Sequence, residues 1–234
     1  MKNISLDFKE GIKDGLPICL GYFSVSMAFG LTVTESGLPI WAAVLMSLSN
    51  LTSAGQFAGA NILIEHGSLI ELAITTLIIN LRYFLMSIAV SQKLDQAFNT
   101  PKRLIASFGI TDEVFAVAVR RIKELSFIYM VGLIITPVLG WTLGTLTGAI
   151  ASSLLPKSVA SAIGIALYGM FIAIVIPPAK ASKNVLFAVV LTIIISSIIT
   201  YTNLLSGGWA IIVIALLVSA ISAYLFPLKE EGEA

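Results

Sequence analysis

The sequence predicts an all-α polytopic membrane protein. Hydrophobic residues make up 57% of the chain and charged residues 12%, and the mean hydropathy is +0.98. A soluble domain is typically about half apolar and about a quarter charged. Apolar runs of about twenty residues, long enough to cross a bilayer as a helix, recur along the chain. We therefore expect about six to eight transmembrane segments, including broken or re-entrant half-helices.

The chain divides by composition into three parts. Residues 1–15 are polar and of mixed charge, and we expect them to form a cytoplasmic N-terminal segment. Residues 16–228 are predicted to form a single transmembrane domain, and residues 229–234 a short acidic cytoplasmic tail. The first fifteen residues lack the apolar stretch of a cleavable signal peptide.

Several classes of protein find no support in the sequence. The single cysteine, Cys19, excludes an intramolecular disulfide and disfavours a cysteine metal cluster. The one histidine, His66, lies beside Glu65 in a predicted loop. No GxxxxGK[ST] phosphate loop and no HExxH pattern occurs. With a net charge of +1, the composition does not suggest nucleic-acid binding. We expect no enzymatic activity and no cofactor or metal.

Five of the predicted spans are uninterrupted. The first, Leu16 to Thr34, contains small residues that allow close helix packing. Gly140, Gly144 and Gly148 recur four residues apart in a later span, which predicts a packing face inside the protein or against a second subunit. The four later spans are Phe127 to Ile150, Val159 to Ile176, Val185 to Leu204, and Gly208 to Phe226.

The segment from Ile40 to Ile64 is apolar at both ends and polar in its middle. The residues between Ser49 and Gln56 are mostly polar or glycine. Such a stretch is poorly suited to lipid, because its backbone and side chains need hydrogen-bond partners. It is typical of two short half-helices that meet at an irregular, polar junction buried in protein.

Arg82 stands in the middle of an otherwise apolar run from Leu72 to Ser91. It lies roughly 15 Å from either end at the rise of an α-helix. A charge at that depth costs several kcal/mol unless protein or water solvates it. The planar guanidinium suits a carboxylate, which could come from Asp112, from Glu113 or from a ligand. A purely structural ion pair is the alternative.

The segment from Leu104 to Val119 is short for a span and is interrupted by Thr111, Asp112 and Glu113. These three residues could cap the helix that follows, because Thr, Asp and Glu are all favoured at helix N-termini. They could also contribute to a cavity, since capping does not exclude a second role.

The positive charges between segments favour two re-entrant segments. If Ile40 to Ile64 and Leu104 to Val119 each return to the side they entered from, about six spans remain. Both termini are then cytoplasmic, and among the lysines and arginines between segments Lys157 alone falls on the opposite side. The cytoplasmic groups are the N-terminal lysines, Lys93 to Arg103, Arg120 to Lys123, Lys180 with Lys183, and Lys229.

The polar clusters suggest a shared polar cavity at mid-membrane, because all of them fall in the first half of the chain. Broken helix ends expose backbone groups that can hold the charged ends of a small zwitterion. We expect Asp112 and Glu113 to serve in proton coupling or gating. The residues expected to bind substrate are Ser53, Gly55, Gln56, Asn80 and Arg82.

Four motifs in this order resemble the AzlC family, the large subunits of bacterial branched-chain amino acid exporters. The motifs are GYFSVSMAFG at 21–30, MSLSNLTSAGQFAGANIL at 46–63, NLRYFLM at 80–86 and ITDEVFAVAV at 110–119. The resemblance extends from about Phe8 to Phe226. The chain departs from the family at Ser24, often proline there, at Tyr83, commonly histidine, and at the junction NLTSAGQF.

The resemblance implies export of leucine, isoleucine and valine, with methionine as a further candidate, by a multi-pass protein of the inner membrane. It also implies a small partner membrane subunit of the AzlD type. Two other classes stay open. One is a channel or permease for another small solute, in which Arg82 tunes selectivity. The other is a non-transporting membrane subunit of a complex.

Overall fold

The computed structural model describes residues 7–152, 154, 169, 172 and 175–227. This part of the chain is helical apart from turns and loops, which confirms the predicted all-α class. Residues 1–6, Lys157, most of the predicted span Val159 to Ile176, and the tail at 229–234 lie outside the described residues. The helices are α1 Phe8–Glu35, α2 Ile40–Ser49, α3 Ser53–Ile64, α4 Leu69–Ser91, α5 Thr100–Phe108, α6 Asp112–Arg120, α7 Phe127–Ala151, α8 Lys183–Thr202 and α9 Gly207–Leu225.

Within the described ranges, five helices are long and apolar enough to cross a membrane, namely α1, α4, α7, α8 and α9. The first of them starts earlier than the span that the sequence predicts. Asp7 accepts a hydrogen bond from the backbone N–H of Glu10 at 2.8 Å, and the Glu10 side chain bonds back to Asp7. This capping box begins the helix at Phe8, so residues 8–15 are continuous with the first span. Their cytoplasmic location stays a prediction.

Both predicted interruptions are present, and each separates two short helices. The first break comprises Asn50–Thr52, where Asn50 is extended and its side-chain oxygen accepts from the N–H of Thr52 at 2.9 Å. The second separates Phe108 from Asp112, and Thr111 caps α6 by accepting from the N–H of Val114. The predicted capping role of the Thr111 segment is therefore confirmed. The first break is shorter than expected, because α3 already includes Ser53 and Gln56.

The chain divides into two compact units. One consists of Met1–Phe57 with Ile79–Ala166, and the other of Ala58–Ile78 with Leu167–Ala234. Helices α3 and α4 each begin in one unit and end in the other. The single transmembrane domain over residues 16–228 stays a prediction.

In the first unit, α1 and α7 pack side by side with their backbones in close approach. Gly140 lies against the backbone of Cys19, Gly144 against Phe23, and Gly148 against Met27. These contacts advance in the same direction along both helices, so the two helices are parallel. The glycine face predicted in α7 thus packs inside the protein, against α1.

The two ends of the segment that contains α5 and α6 lie next to each other. The N–H of Leu125 donates to the carbonyl of Lys93 at 2.8 Å, and the N–H of Asp95 donates to the carbonyl of Leu125 at 3.1 Å. The Lys93 ammonium also donates to the carbonyls of Val119 and Arg121, at the C-terminal end of α6. We infer that residues 96–124 return to the side of the membrane from which they leave.

The same geometry constrains the segment that contains α2 and α3. Because α1 and α7 are parallel, the chain between them must cross the membrane an odd number of times. Helix α4 provides one crossing and the α5–α6 segment provides none. We infer that residues 40–64 also return to the side they leave, as the charge distribution favours.

The second unit contains a buried carboxylate, Glu71. Helix α4 begins at Leu69, and Ser68 just before it accepts a hydrogen bond from the N–H of Glu71. The Glu71 side chain is buried and accepts from the Ser206 hydroxyl at 2.5 Å and from the N–H of Trp209 at 3.1 Å. It therefore caps α9.

The helix contact predicts a large difference between two glycine substitutions. A methyl group added by Gly144→Ala would overlap Phe23 and Ser26, whereas one added by Gly21→Ala meets no atom within 4 Å. We expect Gly144→Ala to lower the free energy of unfolding by about 1–3 kcal/mol. Gly21→Ala should leave it unchanged or raise it by about 0.5–1 kcal/mol, since alanine favours helix. SDS titration of the protein in detergent micelles measures both, and equal stabilities would contradict the packing.

The inferred return of both broken segments predicts a pattern of cysteine labelling. Cys19 is the one native cysteine, so Cys19→Ser provides a background for single cysteines. In intact cells, a membrane-impermeant maleimide should label cysteines at Ser36 and Glu65 and should leave those at Gln96 and Lys123 unlabelled until the cells are opened. Opposite labelling of Gln96 and Lys123 would show that the α5–α6 segment crosses the membrane.

Candidate functional site

Arg82 in α4 pairs with Asp112, the first residue of α6. Its Nη1 lies 2.9 Å from Oδ2 of Asp112, and Nη2 donates to the hydroxyl of Tyr83 at 3.1 Å. The side chains of the ion pair are 46% and 41% exposed. Of the carboxylates expected as partners, the structure pairs Asp112 with Arg82. Because the guanidinium carries five N–H donors and is about half exposed, it keeps donors for a further acceptor.

Glu113 contacts the hydroxyl of Tyr22 in α1. This hydroxyl lies 2.5 Å from Oε2 of Glu113 and 2.7 Å from the hydroxyl oxygen of Thr111. Tyr22 and Thr111 are buried, whereas Glu113 as a whole is exposed. The first turn of α6 is thus held by α4 through Asp112 and by α1 through Glu113.

Gln56 is buried, and both its amide oxygen and its amide nitrogen form a hydrogen bond. Its Oε1 accepts from Nε1 of Trp141 at 2.7 Å, and its Nε2 donates to the hydroxyl of Ser47 at 2.7 Å. Ser47 in turn shares a hydrogen bond with Thr145 at 2.7 Å. These bonds connect α2 and α3 with α7, which is a structural role. A direct contact between Gln56 and substrate stays a prediction.

Ser53 and Gly55 lie in the first turn of α3, and Gly55 lies against Asn80 of α4. A Cβ at position 55 would lie 3.1 Å from the amide atoms of Asn80, so the lack of a side chain there allows α4 to approach α3. The hydroxyl oxygen of Ser53 and Oδ1 of Asn80 are buried without a hydrogen-bond partner in the described part of the protein. Buried polar atoms are almost always hydrogen-bonded, so both have capacity for a ligand or water.

Tyr22 and Trp141 connect the two breaks. Their rings pack edge to face with centroids 5.2 Å apart, and Leu51 of the first break belongs to the same buried cluster. Because Tyr22 also contacts Thr111 and Glu113, residues from both breaks converge on this aromatic pair. Neither aromatic residue was among the predicted site residues. Tyr22 carries a polar group in an apolar span, but sequence alone could not distinguish it from an ordinary packed aromatic.

A second ion pair holds the other end of α6. Arg121 binds Asp14 in α1, and the hydroxyl of Tyr129 in α7 donates to the same carboxylate at 2.7 Å. The hydrogen bond to Asp14 raises the pKa of the Arg121 guanidinium, which therefore stays charged. Both ends of α6 are thus anchored on the α1–α7 pair. In the described ranges, no group of His, Cys, Asp and Glu residues is arranged to hold a metal ion.

The contacts predict that substitutions at Gln56 and Ser53 differ in their effect on the free energy of unfolding. Gln56→Leu leaves the indole N–H of Trp141 without its partner and removes one of the two hydrogen bonds of Ser47. A buried unsatisfied group costs about 1–3 kcal/mol. Ser53→Ala removes a hydroxyl that has no partner, so its free energy of unfolding should change by less than about 0.5 kcal/mol. SDS titration of both variants tests this difference. If Gln56→Leu were as stable as the wild-type protein, Gln56 would have no structural role.

The chain is similar to proteins of a known family. The sequence profile of the AzlC protein family matches residues 17–155, a range that includes both breaks and every predicted site residue. No solved structure matches the chain at a significant level.

Three relatives cover most of the chain. The inner membrane protein YgaZ of Escherichia coli K12 is 33% identical over 174 residues, 71% of each chain. An uncharacterized membrane protein of Archaeoglobus fulgidus is 31% identical over 74% of this chain and 76% of its own. An uncharacterized membrane protein of Helicobacter pylori J99 is 29% identical over 63% of this chain and 67% of its own. From the extent of the family match and these identities, the chain belongs to the AzlC family of membrane proteins.

Proposed function

We propose that this protein exports small neutral amino acids across the cell membrane, with leucine, isoleucine, valine and methionine as substrates. We further propose that it is the large subunit of a two-component carrier and works with a small AzlD-type membrane subunit. Family membership and the relation to an inner membrane protein support a membrane transport role. The positive-inside distribution of lysine and arginine supports cytoplasmic termini.

The observation that carries the proposal is the half-exposed Arg82–Asp112 pair beside two broken segments. An amino acid zwitterion presents one carboxylate and one ammonium group. Arg82 offers a bidentate fork for the carboxylate, and Ser53 on α3 and Asn80 on α4 each keep an unused hydrogen-bonding atom. Asp112 and Glu113 offer negative charge for the ammonium or for a proton.

The geometry suggests how binding and coupling are connected. A substrate carboxylate that takes Arg82 competes directly with Asp112. Asp112 would then lose its cation beside the adjacent carboxylate of Glu113, and taking up a proton or the substrate ammonium would restore the balance. Asp112 and Glu113 therefore act as the coupling or gating groups in this proposal.

Exposure of the ion pair supports the need for a further component. A charged group facing hydrocarbon costs several kcal/mol, so the exposed side of the pair must meet water or a second protein. A water-filled cavity serves the carrier, and a small membrane subunit at this surface would close it.

Loss of leucine efflux in Arg82→Ala tests the proposal. Removing a charge-assisted contact of about 1.5–3 kcal/mol should lower efflux of preloaded leucine by about 10- to 100-fold. Arg82→Lys should also be impaired, because an ammonium cannot form the bidentate pair. Efflux is measured in cells that also express the small subunit, at matched protein level.

Arg103→Ala is the matched control, since Arg103 lies on the exposed side of α5 and should not alter efflux. Wild-type efflux by Arg82→Ala would remove Arg82 from the transport mechanism. Purified protein in liposomes, with and without the small subunit, tests whether the second component is required.

A further inference from the structure

Tyr22 occupies a position that the proposed amino acid site does not by itself explain. The residue lies in α1, 91 positions before Glu113, and its side chain is buried. Its hydroxyl contacts Glu113 at 2.5 Å, and its ring packs edge to face against Trp141. One side chain therefore contacts both the acidic end of α6 and the core of α7.

Trp141 continues this path to the first break. It is fully buried and donates its indole N–H to Gln56 at 2.7 Å. Gln56 lies in the first turn of α3, directly after the break at Asn50–Thr52. A connected series of contacts thus runs from Glu113 through Tyr22 and Trp141 to Gln56.

The two carboxylates of α6 differ in their partners. Asp112 has the guanidinium of Arg82 at 2.9 Å, whereas the hydrogen bond that reaches the Glu113 carboxylate comes from a phenol. A phenol hydroxyl donates one proton, and it does so best to a charged carboxylate. When Glu113 loses its charge, this bond weakens and the constraint on the Tyr22 ring is reduced.

We propose that Tyr22 is a positioning residue that transmits the charge state of Glu113 to the first helix break, through Trp141 and Gln56. In a carrier, occupation of the site at one broken segment must change the other, and packed contacts with two arrangements can do this. The functional role of this coupling, in substrate transport, rests on the proposed function. Its existence can be tested without any substrate.

Trp141 provides the signal for the test. The chain has three tryptophans, and Trp41 and Trp209 are the more exposed two. Replacing these two by phenylalanine leaves Trp141 as the sole tryptophan emitter. In this background, four proteins are compared by emission maximum and acrylamide quenching: the parent, Glu113→Gln, Tyr22→Phe, and the double variant.

We expect Glu113→Gln to shift the Trp141 emission to longer wavelength and to increase quenching, because the ring packed against the indole is less constrained. In the Tyr22→Phe protein, the same Glu113→Gln change should produce no further shift. A shift of the same size with Phe at position 22, or no shift in the Tyr22 protein, would overturn the proposal. The absence of a shift in the Tyr22 protein would overturn the proposal even if Tyr22→Phe fails to fold.

Two control variants separate coupling from loss of stability. Asp112→Asn removes the carboxylate that contacts Arg82, and its effect on Trp141 should not depend on residue 22. Tyr129→Phe removes another phenol bound to a carboxylate, that of Asp14 at 2.7 Å. It should leave the response to Glu113→Gln intact. Loss of that response in Tyr129→Phe would show a general loosening of the fold and would contradict a specific path through Tyr22.

Leucine transport gives the second readout. We expect Tyr22→Phe to lower the maximal efflux rate more than it changes half-saturation, and the double variant to transport no more slowly than Glu113→Gln alone. Additive losses would contradict the coupling. A fluorescence response in a protein that transports no amino acid would instead reject the proposed substrate class and leave the coupling in place.

Discussion

The close backbone contact between α1 and α7 is the constraint on which the rest of the site depends. Glycines on α7 allow the two helices to approach without intervening side chains, and Gly11, Gly15 and Gly30 do the same from α1. Such packing is effective in a bilayer, where lipid provides no hydrophobic driving force between helices. It fixes Tyr22 and Trp141 at the same level, and both broken segments are then held against this aromatic pair.

Polar groups inside the first unit fall into two kinds. Gln56, Ser47, Thr145 and Trp141 satisfy one another and hold the breaks in place. Ser53, Asn80 and the Arg82–Asp112 pair retain hydrogen-bonding or charge capacity. A buried polar network destabilises the fold unless its members form hydrogen bonds with one another, as the first kind does. The second kind is what a binding site needs, and the two kinds alternate along the same short segments.

Much of this arrangement could be predicted from local sequence, and the remainder depended on distant contacts. The two breaks follow from polar residues within apolar runs, and the cap at Thr111 follows from helix end preferences. The cost of burying a charge predicts that Arg82 has a partner. That this partner is Asp112 depends on where α6 lies in the folded protein. The engagement of Gln56 with Trp141, and the burial of Glu71 against α9, join residues 85 or more positions apart. No local pattern encodes such pairs.

The hydrogen bonds between Lys93 and Leu125 bear on how the chain is inserted during synthesis. They bring the two ends of the α5–α6 segment together, so in the inferred topology the basic residues at either end lie on the same side of the membrane. If the segment crossed the membrane instead, Arg120, Arg121 and Lys123 would lie on the opposite side from Lys102 and Arg103. Moving each such charge against the membrane potential costs about 2.3 kcal/mol per 100 mV. The returning segment lets the chain deliver Asp112 to the depth of Arg82 without any translocation of its flanking charges.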